Sequence, residues 1–143
     1  MRERLLRTYW TMAGSAGALF AALWVLEKTG RFAPPAGVGA GWIGRAVFLA
    51  AALSGIAAPL ALRTAFVSRH REARSIPEVE LERFERTVLR AALLSPFFAV
   101  AAAWLEAPRF LLAGSALAAF YALYYFYPSE RRIRHERRIF RVG

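Results

Sequence analysis

TYWTMAGSAGALFAALWVL, residues 8–26, runs for 19 residues without a charged side chain. At roughly 1.5 Å per residue, a helix of that length covers the ~30 Å hydrocarbon layer of a bilayer. The stretch therefore reads as a transmembrane span, and that reading decides the class of fold. In its middle stand glycine, serine and alanine, where a water-soluble helix would place larger apolar side chains to fill a core. Lipid explains the choice. One apolar helix gains nothing hydrophobic by meeting another there, so association depends on close backbone approach, which small residues permit. Nearly the same phrase returns as AGSALAAFYALYY, residues 113–125.

Three more apolar stretches follow. Residues 46–62 form the second, lengthened to 67 if Arg63 snorkels toward head groups. The third covers residues 87–105, with Arg90 near one end, and the fourth residues 110–127, with Pro108 near its start where a missing N–H costs little. Hydrophobic residues make up 57% of the chain and charged ones 21%, so the two kinds are segregated along it, as in a membrane protein with polar connections. The expected fold is an all-α integral membrane protein, a single domain over 1–143 in which four transmembrane helices form a compact bundle. A helical connection occupies residues 68–86 and a basic tail residues 129–143.

Sixteen of the twenty basic residues precede span one, lie between spans two and three, or follow span four. Lys and Arg in short connections remain cytoplasmic, which puts both termini inside. Trp24, Trp42 and Trp104 then fall at the outer boundary, and Tyr9, Trp10, Tyr124, Tyr125 and Tyr127 at the inner one, as interfacial aromatics do. Nineteen of the basic residues are Arg, Asp is absent and Ala abounds, a composition that points to a GC-rich bacterial source and hence the inner membrane. The absence of Cys excludes disulfides, thiolate metal centres and thiol redox chemistry.

Each span carries a ladder of small residues four apart: Ala13, Gly17 and Ala21; Ala46, Ala50, Ser54 and Ala58; Ala91, Ser95, Ala99 and Ala103; Gly114, Ala118 and Ala122. These are the expected helix-packing positions, within the bundle or toward a partner. Pro59 and Pro96 lie inside spans two and three, where each removes a backbone hydrogen bond; kinks are expected at both, and a small polar cavity with Ser54 and Ser95 is one use for them.

Coupled transporters and membrane enzymes usually place ionisable residues in the span interior. Here the interiors hold none, and His70 and His135 fall in the cytoplasmic segments, so no catalytic residue, cofactor or metal is expected. The stretch Glu85-Arg86-Thr87-Val88-Leu89-Arg90-Ala91 is similar, over seven residues, to the arginine-rich lead-in of glutathione-binding four-span enzymes of the MAPEG type. Leu94 and Phe98 replace the Asn and Glu of that family, and the inside-facing N-terminus differs too, so its activity is not carried over.

Ser75-Ile76-Pro77-Glu78 has capping-box spacing, which predicts a helix from Ile76 running uninterrupted into span three. Leu81, Phe84 and Val88 share one side of it and need a cover, either the chain's own tail or another protein. In the tail, Ile133, Ile139, Phe140 and Val142 alternate with Arg131, Arg132, Arg134, Arg137, Arg138 and Arg141, which suits a basic amphipathic helix on anionic lipid. The net charge of +10 follows from this topology, and no nucleic-acid-binding motif accompanies it. The function expected is a non-enzymatic accessory or assembly subunit of a larger inner-membrane complex, its partners anionic lipid and other membrane subunits. The alternative is a small homo-oligomeric transporter or channel.

Overall fold

The computed structural model describes residues 1–31, 33 and 36–142; among these every regular element is helical and there is no strand. Helix α1 spans Arg2–Lys28, longer than the apolar run because Leu5 in its first turns is buried. It ends where the Gly30 N–H bonds the Glu27 carbonyl and the Arg31 N–H reaches back to Leu26. Gly30 takes the left-handed conformation this closure needs.

The second rod, Trp42–Arg69, consists of α2 (Trp42–Ala52), one wide π-type turn (Leu53–Ala57) and α3 (Ala58–Arg69). The wide turn has a local cause. Pro59 has no N–H to return to Gly55, so regular α-hydrogen bonding fails just before it. The carbonyl of Ala51, just before the wide turn, accepts from two hydroxyls, Ser54 at 3.2 Å and Ser95 at 2.9 Å.

The third rod, Glu78–Trp104, departs from the sequence expectation at its start. It begins at Glu78 rather than Ile76, because Pro77 is the N-cap, and no side chain caps it. Residues 70–77 are not helical, and Ile76 is buried in a core instead of opening the helix. As expected, α4 (Glu78–Ala92) runs without interruption into the apolar stretch 87–105, and the break comes inside that stretch, at a turn over Leu93 and Leu94 that leads into α5 (Ser95–Trp104) beside Pro96, where the sequence predicts a kink. Pro96 lies in the first turn of α5, where its missing N–H has no intrahelical partner to lose.

Helix α6 (Arg109–Tyr125) bends by 76° into α7 (Glu130–Ile139). Three helices are therefore long and apolar enough to cross a membrane, and four if the bent pair is counted as one span. The helices run up and down: α5 packs on α2 and α6, α3 on α4, and α1 on α4 and α5. At mid-height the contacts are made by small groups. A Cβ on Gly55 would lie 3.0 Å from the Ser95 hydroxyl and 3.1 Å from the Ala118 carbonyl, and one on Gly114 would collide with the Phe48 ring.

The larger side chains gather at the arginine-rich end. Leu5, Tyr9, Val88, Leu89, Leu93 and Phe126 form one buried cluster; Ile76, Leu81 and Phe140 form a second beside it. The cover over the Leu81 and Phe84 side of α4 is the chain's own tail.

Candidate functional site

Two features stand out, an ion-paired clasp at the basic end and an open groove along α1. The clasp starts with Ser129, whose hydroxyl accepts from the Arg132 N–H and caps α7. Ile133 and Phe140 then face the cores, and Glu136, on the same stripe, is 3% exposed. Arg63 of α3 meets it with Nη2 2.8 and 3.0 Å from the two carboxylate oxygens. Arg132 reaches Glu85 at 3.2 Å, donates to the Tyr125 carbonyl at 3.2 Å, and lies 4.8 Å from the centre of the Phe126 ring. Arg137 with Glu78 and Arg2 with Glu130 complete four contacts that join α7 to α4, α3 and α1.

Glu85 lies on the turns of α4 that precede the apolar stretch 87–105, and burial pushes its carboxyl up, with Arg132 pulling the other way. Leaving either member of such a buried pair alone is costly. That requirement binds α7 to the body of the chain. A crevice of about 80 Å³ opens on this cluster, between Arg63, Glu85, Arg132, Leu60 and Tyr125.

Of the six tail arginines expected at lipid head groups, Arg132 and Arg137 face carboxylates of α4, and Arg134 lies 4.0 Å from Glu130 on its own helix. Arg131, Arg138 and Arg141 are exposed. Arg141 adopts φ 46° to close the end of α7, with the Val142 N–H returning to the Arg137 carbonyl.

The groove begins where the clasp stops. Tyr9 ties α1 to the bundle: its hydroxyl donates to the Leu123 carbonyl at 3.0 Å, and its ring meets Tyr127 edge-on; Met12 and Ala13 pack against the same cluster. Ala16 is the last residue the helix buries, and beyond it the helix stands clear. Three small-residue stripes face the space so left: Ala13, Ala16, Gly17 and Phe20 on α1; Pro96, Ala99, Val100 and Ala103 on α5; Leu112, Ala116, Ala119, Phe120 and Leu123 on α6. They enclose about 350 Å³. A shallower hollow continues past Phe20, Val100 and Ala103 to Trp24, Glu27 and Trp104 at the far end.

The sequence ladders fall unevenly on this frame. On α1, Ala13 and Gly17 line the groove while Ala21 is exposed. In the second rod Ala46 is exposed and Ala50, Ser54 and Ala58 are half-buried; the buried stripe is Gly44, Ala51, Gly55 and Pro59. Ala91 is half-buried, Ser95 is buried, and Ala99 and Ala103 line the groove. On α6, Gly114 receives Phe48, and Ala118 and Ala122 are buried. Pro59 lines the crevice at the basic end and Pro96 the groove.

Sequence reading missed the clasp, although a signal for it exists. Glu85 interrupts the stripe Leu81, Val88, Ala92, and Glu136 interrupts Ile133 and Phe140; an acid inside an apolar stripe calls for a buried cation. His70 does not join the clasp: its ring contacts Glu80 and the Phe66 carbonyl and packs on Phe66, while His135 is exposed.

Groove and clasp together define an all-helical chain, compatible in length and composition with a membrane protein, that carries one apolar lateral opening and one polar end sealed by its own tail. Against protein-family models, curated proteins and solved structures, the chain matches none.

Proposed function

We propose that this chain is a non-enzymatic subunit of a larger bacterial inner-membrane complex, and that it holds a transmembrane helix of a partner in the groove beside α1. In this reading α6 is the fourth span and both termini are cytoplasmic. The distribution of basic residues supports that orientation, as do Trp24, Trp42 and Trp104 at one end of the rods and the exposed Trp10, Tyr124 and Tyr125 at the other.

The observation that carries the docking is Gly17. A side chain placed there would meet nothing within 4 Å, yet the residue belongs to a small-residue ladder and faces Ala99, Ala103, Ala116 and Ala119 across the groove. Such a stripe is useful only if another backbone comes close to it. The walls are apolar over the height of the spans, so the occupant fitted to them is a lipid-embedded helix.

Purification of a tagged copy from its native membrane in mild detergent, with native mass and identification of what comes with it, tests the reading. Gly17→Leu should release the partner, whereas Ala22→Leu, on the opposite side of α1 and exposed, should retain it. Equal recovery from both variants would remove the groove from the interface. A mass that is a clean multiple of 15.9 kDa, with no other protein, would instead favour a homo-oligomeric transporter or channel.

A further inference from the structure

A basic hollow on α3 lies apart from the groove and shares only Arg63 with the contacts of α7. Arg63, Thr64, Val67, Ser68 and Arg71 line an open space of about 450 Å³. Their spacing of one, four, five and eight places them on one face of α3 and the turn beyond it. The Arg63 guanidinium is fixed by Glu136 through one nitrogen, and an Arg carries five N–H donors in all. Among the described residues, Arg71, which is exposed, makes no ion pair and the Ser68 hydroxyl makes no hydrogen bond. Thr64 already donates to the Ala61 carbonyl, which leaves Arg63, Ser68 and Arg71 as the donors facing the hollow.

The surroundings limit what such donors receive. Arg63 also lines the crevice at the basic end, where Ile56 and Leu60 of the same rod present apolar surface, and both are about half exposed. Cationic donors below and aliphatic surface above, on one face of a candidate span, match an amphiphile with an anionic head. We propose that this hollow binds the phosphodiester head group of an anionic phospholipid, its first acyl carbons lying along Leu60 and Ile56. The inference rests on the membrane placement proposed above but not on the partner helix. It differs from lipid attraction by the tail, because it requires Arg63 of α3, held by Glu136, together with Arg71 in the turn beyond it.

The test uses the purified full-length protein, free of partners, in a mild detergent, with native mass spectrometry during titration of phosphatidylglycerol or phosphatidylcholine. Phosphatidylglycerol should be retained over phosphatidylcholine. Arg71→Gln combined with Ser68→Ala should lower its occupancy about fivefold, as expected for one surface arginine facing an anionic lipid. Arg138→Gln on the tail should leave occupancy unchanged. Equal retention of the two lipids, or no response to the α3 variant, overturns the proposal. Inorganic phosphate separates the two sources of a phosphoryl group: millimolar phosphate that displaces the lipid would make this a free-phosphate site and overturn the lipid assignment. Membrane placement is read separately by alkaline carbonate extraction, since release of the chain would refute the placement and not only this site.

Discussion

Near the Arg2 end of α1, Leu5 and Tyr9 are buried among side chains from α4, α6 and α7. Near its other end, every residue from 17 to 28 except Leu23 is exposed. One helix thus serves two environments, and the difference follows from what each end can use. The basic end combines large apolar side chains with Arg–Glu contacts, so burial and charge pairing act together and the chain supplies its own cover. The far end has Ala and Gly beside Leu19, Phe20, Trp24, Val25 and Leu26, all exposed. In lipid, burying that apolar area would bring no hydrophobic gain. What it offers is access to its backbone, and only another helix makes use of that.

The largest test of this contrast sets Leu81→Ala against Val25→Ala. Leu81 is 0% exposed, so its truncation should cost about 2–5 kcal/mol. Val25 is 49% exposed, and its loss should stay within about 0.5 kcal/mol in the isolated chain. Reversible unfolding in detergent measures both, and equal costs would break the contrast. Next in size is Gly55→Leu, which forces side-chain atoms against Ser95 and Ala118 and should cost about 1–3 kcal/mol. The matching Gly17→Leu should leave unfolding of the isolated chain nearly unchanged.

Within the clasp, Glu136→Gln removes the charge facing Arg63, which is itself a third exposed. A loss of about 1–2 kcal/mol is expected, together with faster proteolysis of α7; protease protection equal to that of the parent would show that α7 is held without the Arg63 contact. The smallest effect sharpens the far end. Glu106 holds φ 52° where the Ala107 N–H returns to the Ala102 carbonyl, a conformation that favours glycine. Glu106→Gly should therefore stabilise the chain by about 0.5–1 kcal/mol, visible as a small rise in Tm.

These results separate what the sequence disclosed from what it withheld. Apolar runs located the rods, because an uncharged stretch long enough to cross lipid has few other uses. The stripe Leu81, Phe84 and Val88 announced a missing cover, and the tail was one of two candidates for it. Register was harder to read. In the second rod, small residues surround the helix, so the stripes Ala46–Ala50–Ser54–Ala58 and Gly44–Ala51–Gly55–Pro59 look alike on paper. The choice between them depends on the wide turn before Pro59 and on where Ser95 finds its acceptor, which are tertiary facts. The start of α4 was misplaced for a related reason: Ile76 fitted a helix locally, but Phe140, 64 positions away, gave it a better burial. The clasp is hard to read because Glu85 follows Glu78, Glu80 and Glu82, where acids also suit the start of a helix, although its place in an apolar stripe sets it apart.

The wide turn at Leu53–Ala57 gives the second rod a place where residue number can change without a change of register. Each residue of regular helix advances it by about 100°, and a wide turn fits about one more residue into the same rotation. Deletion of Ile56 should therefore return the turn to ordinary pitch and leave Arg63 facing Glu136, while the rod keeps length enough to cross a bilayer. Loss of the protease protection of α7 in the deletion variant would contradict this. An in-frame loss of one codon would then be silent here, although the same single gap in a regular stretch of helix would turn every later side chain away from its partner.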